Sequence, residues 1–172
     1  MSTVDSVGRL HIRLLLLDLD GVMTDGSVLV LASGDEARSI HFHDLDAMAR
    51  LRRTSSVDVV VVSGEDSPSS RHVASRFGIK EAVWGAKDKL AAMEALRLRL
   101  GVELREVCYV GDADRDAPAL SAAGLGLAPA NATPVARAAA DRVLSASGGR
   151  GALAEVVLVL EETCDLPTTV DG

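Results

Sequence analysis

Short apolar runs rich in β-branched residues recur along the chain, at Ile12 to Leu17, Val57 to Val62, Ala82 to Trp84, Val107 to Val110 and Leu125 to Ala128, with a weaker sixth at Arg142 to Leu144. Runs without polar alternation suit strands covered on both faces, as in a parallel sheet. Helical segments separate them. Ser67-Pro68 has the chemistry of a helix start that should stop at Gly78, and Lys87 to Leu100 is rich in Ala, Leu, Met and Arg and stops at Gly101. The repeat predicts an α/β, doubly wound parallel sheet of Rossmann-like form.

One segment breaks the alternation. Val28 to Leu31, a turn at Ser33-Gly34-Asp35, and Ala37 to Phe42 predict a β-hairpin directly after the first strand and its acidic loop. Such a hairpin would sit as a flap over the carboxyl edge of the sheet. Between Asp20 and Ser63 there is room for it and one helix, Asp46 to Arg53, but for no cap domain. A single domain over 1–172 is expected, with a core at about 10–162 and a frayed tail at 163–172.

Composition narrows the function. The 172 residues carry a formal charge of −7 and only two Phe, one Trp and one Tyr, so neither the basic footprint nor the stacking surfaces of a nucleic-acid binder are present. Ile12 to Leu17 runs straight into Asp18 and Asp20, too short and too acidic for a membrane span or signal segment. Cys108 and Cys164 show no metal-ligand or secreted disulfide spacing, and a cytoplasmic setting is expected.

The candidate chemistry gathers where an open α/β sheet places its ligands, at the carboxyl ends of strands. Asp18 and Asp20 follow the first strand, Ser63-Gly64 the second, Gly111-Asp112 the fourth, and Lys89 opens a helix. Asp18 is suited to attack phosphorus, and Asp20 to protonate the leaving alkoxide and later take a proton from water. An anionic nucleophile meeting a phosphate is opposed by about 4 kcal/mol at 4 Å and an effective dielectric near 20, so a divalent cation is called for. Asp112 offers a hard oxygen ligand beside Asp18, suited to Mg²⁺. Lys89 adds positive charge, and Ser63 with the Gly64 amide adds donors for phosphoryl oxygens. His41 and His43 alternate on the expected hairpin strand without a third metal ligand, and are read as flap residues.

With these residues assembled, the chain resembles the haloacid dehalogenase superfamily, in its capless branch that acts on 3-deoxy-D-manno-octulosonate 8-phosphate and related nine-carbon sialic-type sugar acid phosphates. The likeness is carried by Asp18-Leu19-Asp20-Gly21-Val22-Met23-Thr24-Asp25-Gly26, Phe42 with Asp46, Gly85 to Lys89, Tyr109 to Asp112 with Asp116, and Gly148-Gly149-Arg150-Gly151-Ala152. It implies Asp18 as nucleophile, Asp20 as acid/base that also gives the metal its main-chain carbonyl, and Asp112 as the other ligand, with Asp116 behind it. Ser63 and Gly64 would bind phosphate, Lys89 would stabilise it, and Asp46 and Arg150 would contact substrate. A homotetramer is implied, its flaps forming an intersubunit barrel and Arg150 closing a neighbour's site.

Several positions depart from that pattern. Ala113 stands where a second Asp is usual, Ala47 replaces a Gly, Glu65 resembles the nine-carbon branch and Arg150 the eight-carbon one. The expected activity is Mg²⁺-dependent hydrolysis of a sugar acid phosphate through an aspartyl phosphate. The alternatives are a non-catalytic oligomeric interaction module of the same fold and a phosphatase for a specialised sugar phosphate. A receiver domain is disfavoured because the Val57 to Val62 strand ends in Ser63 and not Asp, and a phosphomutase because the space between Asp20 and Ser63 is too short for the cap that would hold its intermediate.

Overall fold

The central strand Leu14–Leu17 (β2) has no exposed side chain and pairs in parallel with a strand on each side. The structure is a computed structural model that describes residues 9–168. Before β2 lies a two-residue strand, Leu10–His11 (β1); after it come the hairpin strands Leu29–Val30 (β3) and Glu36–Ala37 (β4), helix Phe42–Thr54 (α1), strand Asp58–Val62 (β5), helix Pro68–Arg76 (α2) and strand Glu81–Val83 (β6). The second half contains helix Lys89–Leu100 (α3), strand Val107–Val110 (β7), helix Ala117–Ala122 (α4), strand Leu125–Ala128 (β8), helix Pro134–Ala139 (α5), strand Arg142–Val143 (β9), helix Ala152–Thr163 (α6) and strand Cys164–Asp165 (β10).

Six strands form one all-parallel sheet in the order β6-β5-β2-β7-β8-β9. The chain winds outward from β2 to one edge, then crosses back and winds to the other, so β2 lies at the topological switch where α/β sheets place their sites. Side chains alternate across β2: Leu15 and Leu17 join a core with α1, α2 and α6, while Leu14 and Leu16 join the opposite core with Met93 and Leu96 of α3, Leu120 of α4 and Ala136 of α5. Both faces are covered, which is why the strand reads as four consecutive leucines.

Helix boundaries follow local chemistry. Ser67 caps α2 by accepting from the Ser70 amide, with Pro68 in the first turn, and Asp88 caps α3 by accepting from the Ala91 amide at 2.9 Å. Gly101 closes α3 in the left-handed region.

Three expectations are corrected. The second hairpin arm does not reach Phe42: the ladder joins only Leu29–Val30 to Glu36–Ala37, and Phe42 opens α1 four residues before the expected Asp46. The cause is tertiary, because buried Asp44 accepts from the amides of Gly151 and Ala154 and so draws the first turn of α1 onto the start of α6. Accordingly His43 lies on a helix, its ring edge-on to that of His41. At the other end Cys164–Asp165 pairs in parallel with Leu10–His11 where a frayed tail was expected; the last four residues of that tail lie outside the described residues.

Candidate active site

The chain leaves β2 through Asp18 into the tight loop Leu19–Met23, closed by the Thr24 amide donating to the Leu19 carbonyl. Gly21 turns this loop with φ 87°, and a Cβ there would lie 1.9 Å from Asp112 Oδ2. A side chain at this position would therefore displace the Asp112 carboxylate as well as strain the turn. The loop is anchored from behind by Asn131, whose side-chain amide donates to the Gly21 carbonyl and whose Oδ1 accepts from the Gly148 amide.

Asp18 is almost wholly buried. Its Oδ1 accepts from the Leu19 amide at 2.8 Å and from Lys89 Nζ at 2.7 Å, so two donors fix the carboxylate in rotation. Lys89, fully buried at the first turn of α3, also donates to the Val62 carbonyl at the end of β5 and lies 3.8 Å from Asp116. One ammonium therefore ties together the ends of β2 and β5. Asp116 is inaccessible and fully engaged: Tyr109 Oη donates to Oδ1 at 2.7 Å, and the amides of Asp112 and Ala113 donate to Oδ2. Where a second Asp is usual, Ala113 contributes its amide alone.

Burial, and next the nearby Asp116, push the Asp18 carboxyl up to about 7 against the opposing pull of Lys89. Asp112 is raised to about 6 by burial and then by Asp116. One oxygen of Asp112, Oδ1, is buried without a hydrogen-bond partner, and single oxygens of Asp18, Asp112 and Asp116 all lie within 4.8 Å of one another. An orphaned carboxylate oxygen inside a trio of carboxylates fits a hard divalent cation, which would satisfy the oxygen and relieve the mutual repulsion.

The expected residues largely converge. Asp18, Asp20, Ser63, Gly64, Lys89 and Asp112 line one cavity of about 230 Å³, with Asp116 behind it. Ser63 is buried at the end of β5 and accepts from the Glu65 amide. Asp46 and Arg150 are not brought to this cavity. Asp46 is exposed on α1, beside a separate depression with His43 and Arg50, and Arg150 is exposed, 3.6 Å from Asp25 of its own chain.

Sequence reasoning missed Arg38. It reaches back from the flap, its side chain 3% exposed, and holds Asp20 with a two-pronged fork: Nε to Oδ1 at 2.8 Å and Nη2 to Oδ2 at 3.3 Å. It also contacts Glu36 and Ser67, and these carboxylates, led by Asp20, hold its guanidinium above its ordinary range. The flap is thereby tied to the acidic loop, although the only sequence signal was a lone cation after an acidic turn.

This arrangement of an aspartate beside a buried lysine at a sheet switch point has close counterparts. A haloacid dehalogenase-like hydrolase model matches residues 37–124, and the chain belongs to that family. It is 35% identical to the 3-deoxy-D-manno-octulosonate 8-phosphate phosphatase KdsC of Haemophilus influenzae, over 85% of this chain and 81% of the relative. With the Escherichia coli enzyme of the same name the identity is 33% over 94% of this chain and 82% of the relative. Among solved structures, the Moraxella catarrhalis phosphatase in complex with magnesium ion, phosphate ion and a KDO molecule superposes with a TM-score of 0.84 at 31% identity, covering 88% of this chain and 87% of that one. The fold expectation, a haloacid dehalogenase-type parallel sheet without a cap, is borne out. No helix among the described residues is long and apolar enough to cross a membrane.

Proposed function

We propose that the chain is a Mg²⁺-dependent phosphomonoesterase acting on 3-deoxy-D-manno-octulosonate 8-phosphate or a closely related eight- or nine-carbon sugar acid phosphate. The observation that carries this reading is the rotationally fixed Asp18, held by Lys89 and set against Asp112 in a cavity whose other wall is Ser63-Gly64. Relatives at 33–35% identity that are named for this phosphatase activity support the substrate class.

Asp18, Asp112 and the main-chain carbonyl of Asp20 would hold the cation, which supplies charge neutralisation between nucleophile and phosphate. Asp18 attacks phosphorus, the bond to the sugar oxygen breaks, and Asp20 gives that oxygen its proton. In the second half Asp20 takes a proton from water, the water oxygen attacks phosphorus, and inorganic phosphate leaves with Asp18 restored. The Arg38 fork occupies both oxygens of Asp20, so the proton transfers proposed for Asp20 require the fork to loosen. Lys89 and Ser63 supply donors to the phosphoryl oxygens. Homotetramer formation, with other copies covering the exposed flap residues Leu29 and Val30, belongs to the same proposal.

The test is phosphate release, with Mg²⁺ and without, from eight- and nine-carbon sugar acid phosphates and from simpler sugar phosphates, with Asp18→Asn alongside. Mg²⁺-dependent release that the substitution abolishes supports the reading. Release unaffected by Asp18→Asn would overturn the Asp18 mechanism, and no release from any compound by a chain that binds Mg²⁺ would overturn the reading as a whole and favour the non-catalytic module.

A further inference from the structure

The cavity that holds Asp18 is lined by four carboxylates, Asp18, Asp20, Glu65 and Asp112, and by two cations, Lys89 and Arg115. Lys89 is committed, its ammonium shared between Asp18 and the Val62 carbonyl. Asp20 is taken by Arg38, and Glu65 lies 3.3 Å from Lys87, whose ammonium also donates to the Gly64 carbonyl. Every charged group on the wall but Arg115 and Asp112 thus has an ion-pair partner. Asp112 belongs to the carboxylate trio described above. Arg115 pairs with no carboxylate among the described residues, although it stands at an exposed rim between Asp114 and Asp116. Asp114 accepts instead from Thr133 and Asp116 from Tyr109.

The seat of this guanidinium is specific. Nη1 lies 3.0 Å from the place a Cβ on Gly64 would occupy, so it rests against the bare backbone of the Ser63-Gly64 turn. A planar fork of donors, left unpaired on the wall of a negatively lined cavity and leaning on its phosphate turn, is complementary to an oxyanion. We infer that Arg115 is a substrate-binding residue whose guanidinium grips the phosphoryl oxygens on the side opposite Lys89. This rests on the phosphatase reading and extends it by one residue.

The probe is inorganic phosphate. Its affinity in the presence of Mg²⁺ is measured by calorimetry for the wild type, Arg115→Ala and Arg115→Lys, together with phosphate release from sugar phosphates that carry a carboxylate and from others that do not. The exposed position leaves the melting temperature of both variants near that of the wild type. Arg115→Ala is expected to weaken phosphate by about tenfold to a hundredfold, and to lower kcat/KM by a similar factor for every substrate. Arg115→Lys restores the charge but not the fork, and so recovers part of the loss. Phosphate affinity unchanged in Arg115→Ala overturns the inference and leaves the phosphatase reading intact. So does a loss confined to carboxylate-bearing substrates, which would assign Arg115 to the sugar end. A wild type that binds Mg²⁺ but neither binds phosphate nor releases it overturns the phosphatase reading itself.

Discussion

The floor of the active site and the flap above it are built by opposite means. The floor is a closed network in which Asp18, Lys89, Asp116 and Tyr109 are all buried and satisfy one another at the ends of three parallel strands. The flap is a ladder of two residue pairs whose apolar side chains, Leu29 at 63% and Val30 at 67% exposure, face outward, and whose tie to the floor is the Arg38 fork on Asp20. Burial gives the floor its chemistry, because low dielectric magnifies each charge it contains. The flap has too little buried surface to fix its own position. On the proposed reading, phosphoryl transfer rests on the buried floor, which the flap meets through the Arg38–Asp20 pair.

The contrast breaks first at Asp18. Asp18→Asn keeps the shape of the floor but removes the proposed nucleophile, and phosphate release should fall by about a thousandfold or more in a steady-state assay. Lys89→Met comes next. Removing the one cation leaves Asp18 and Asp116 facing each other, a loss of about 3–5 kcal/mol in urea unfolding of the metal-free protein. A smaller loss, about 1–2 kcal/mol, is expected of Tyr109→Phe, which strips one donor from buried Asp116 and leaves the metal cluster in place.

The pH dependence of the floor sharpens the same contrast. In the folded, metal-free chain Asp18 titrates at about 7 and Asp112 at about 6, both raised first by burial and then by Asp116, whereas unfolded aspartates titrate near 3.8. Between about pH 4 and pH 7 the folded state therefore binds more protons than the unfolded one, and metal-free stability falls as pH rises through that window. Cation binding must displace those protons, so the rise in melting temperature caused by Mg²⁺ should grow from pH 5 to pH 8. An Mg²⁺ effect that is flat with pH would contradict this account. The flap should behave differently: Val30→Glu changes unfolding free energy by no more than about 0.5 kcal/mol, and in the proposed homotetramer it lowers the assembled mass in light scattering.

Much of the floor was legible in the sequence because strand-end chemistry is local. A run of β-branched or leucine residues that stops at Asp18, Ser63 or Asp112 fixes which edge those groups occupy before any tertiary contact is known. What stayed hidden depends on approach between distant segments. Arg38 is one cation among many until the hairpin folds back, and Arg115 is set apart only by having no ion-pair partner among the described residues. Asp44 and Asp46 illustrate the limit. Both are acidic and two residues apart, yet Asp44 shares a buried stripe with Ala47, Met48 and Leu51 at helical spacing and caps α6, while Asp46 faces outward. That stripe was readable, had α1 been started at Phe42.

The register of β2 also has a consequence in time. Leu14–Leu17 is made some ninety residues before Val107–Val110, with which it forms one of its two ladders. Parallel pairing at such separation forms slowly. Four leucines must therefore stay unpaired on one edge through most of synthesis, a natural client for a chaperone that holds extended apolar segments. Asp18, at the end of that strand, lacks Lys89 and Asp112 until the second half of the chain has been made.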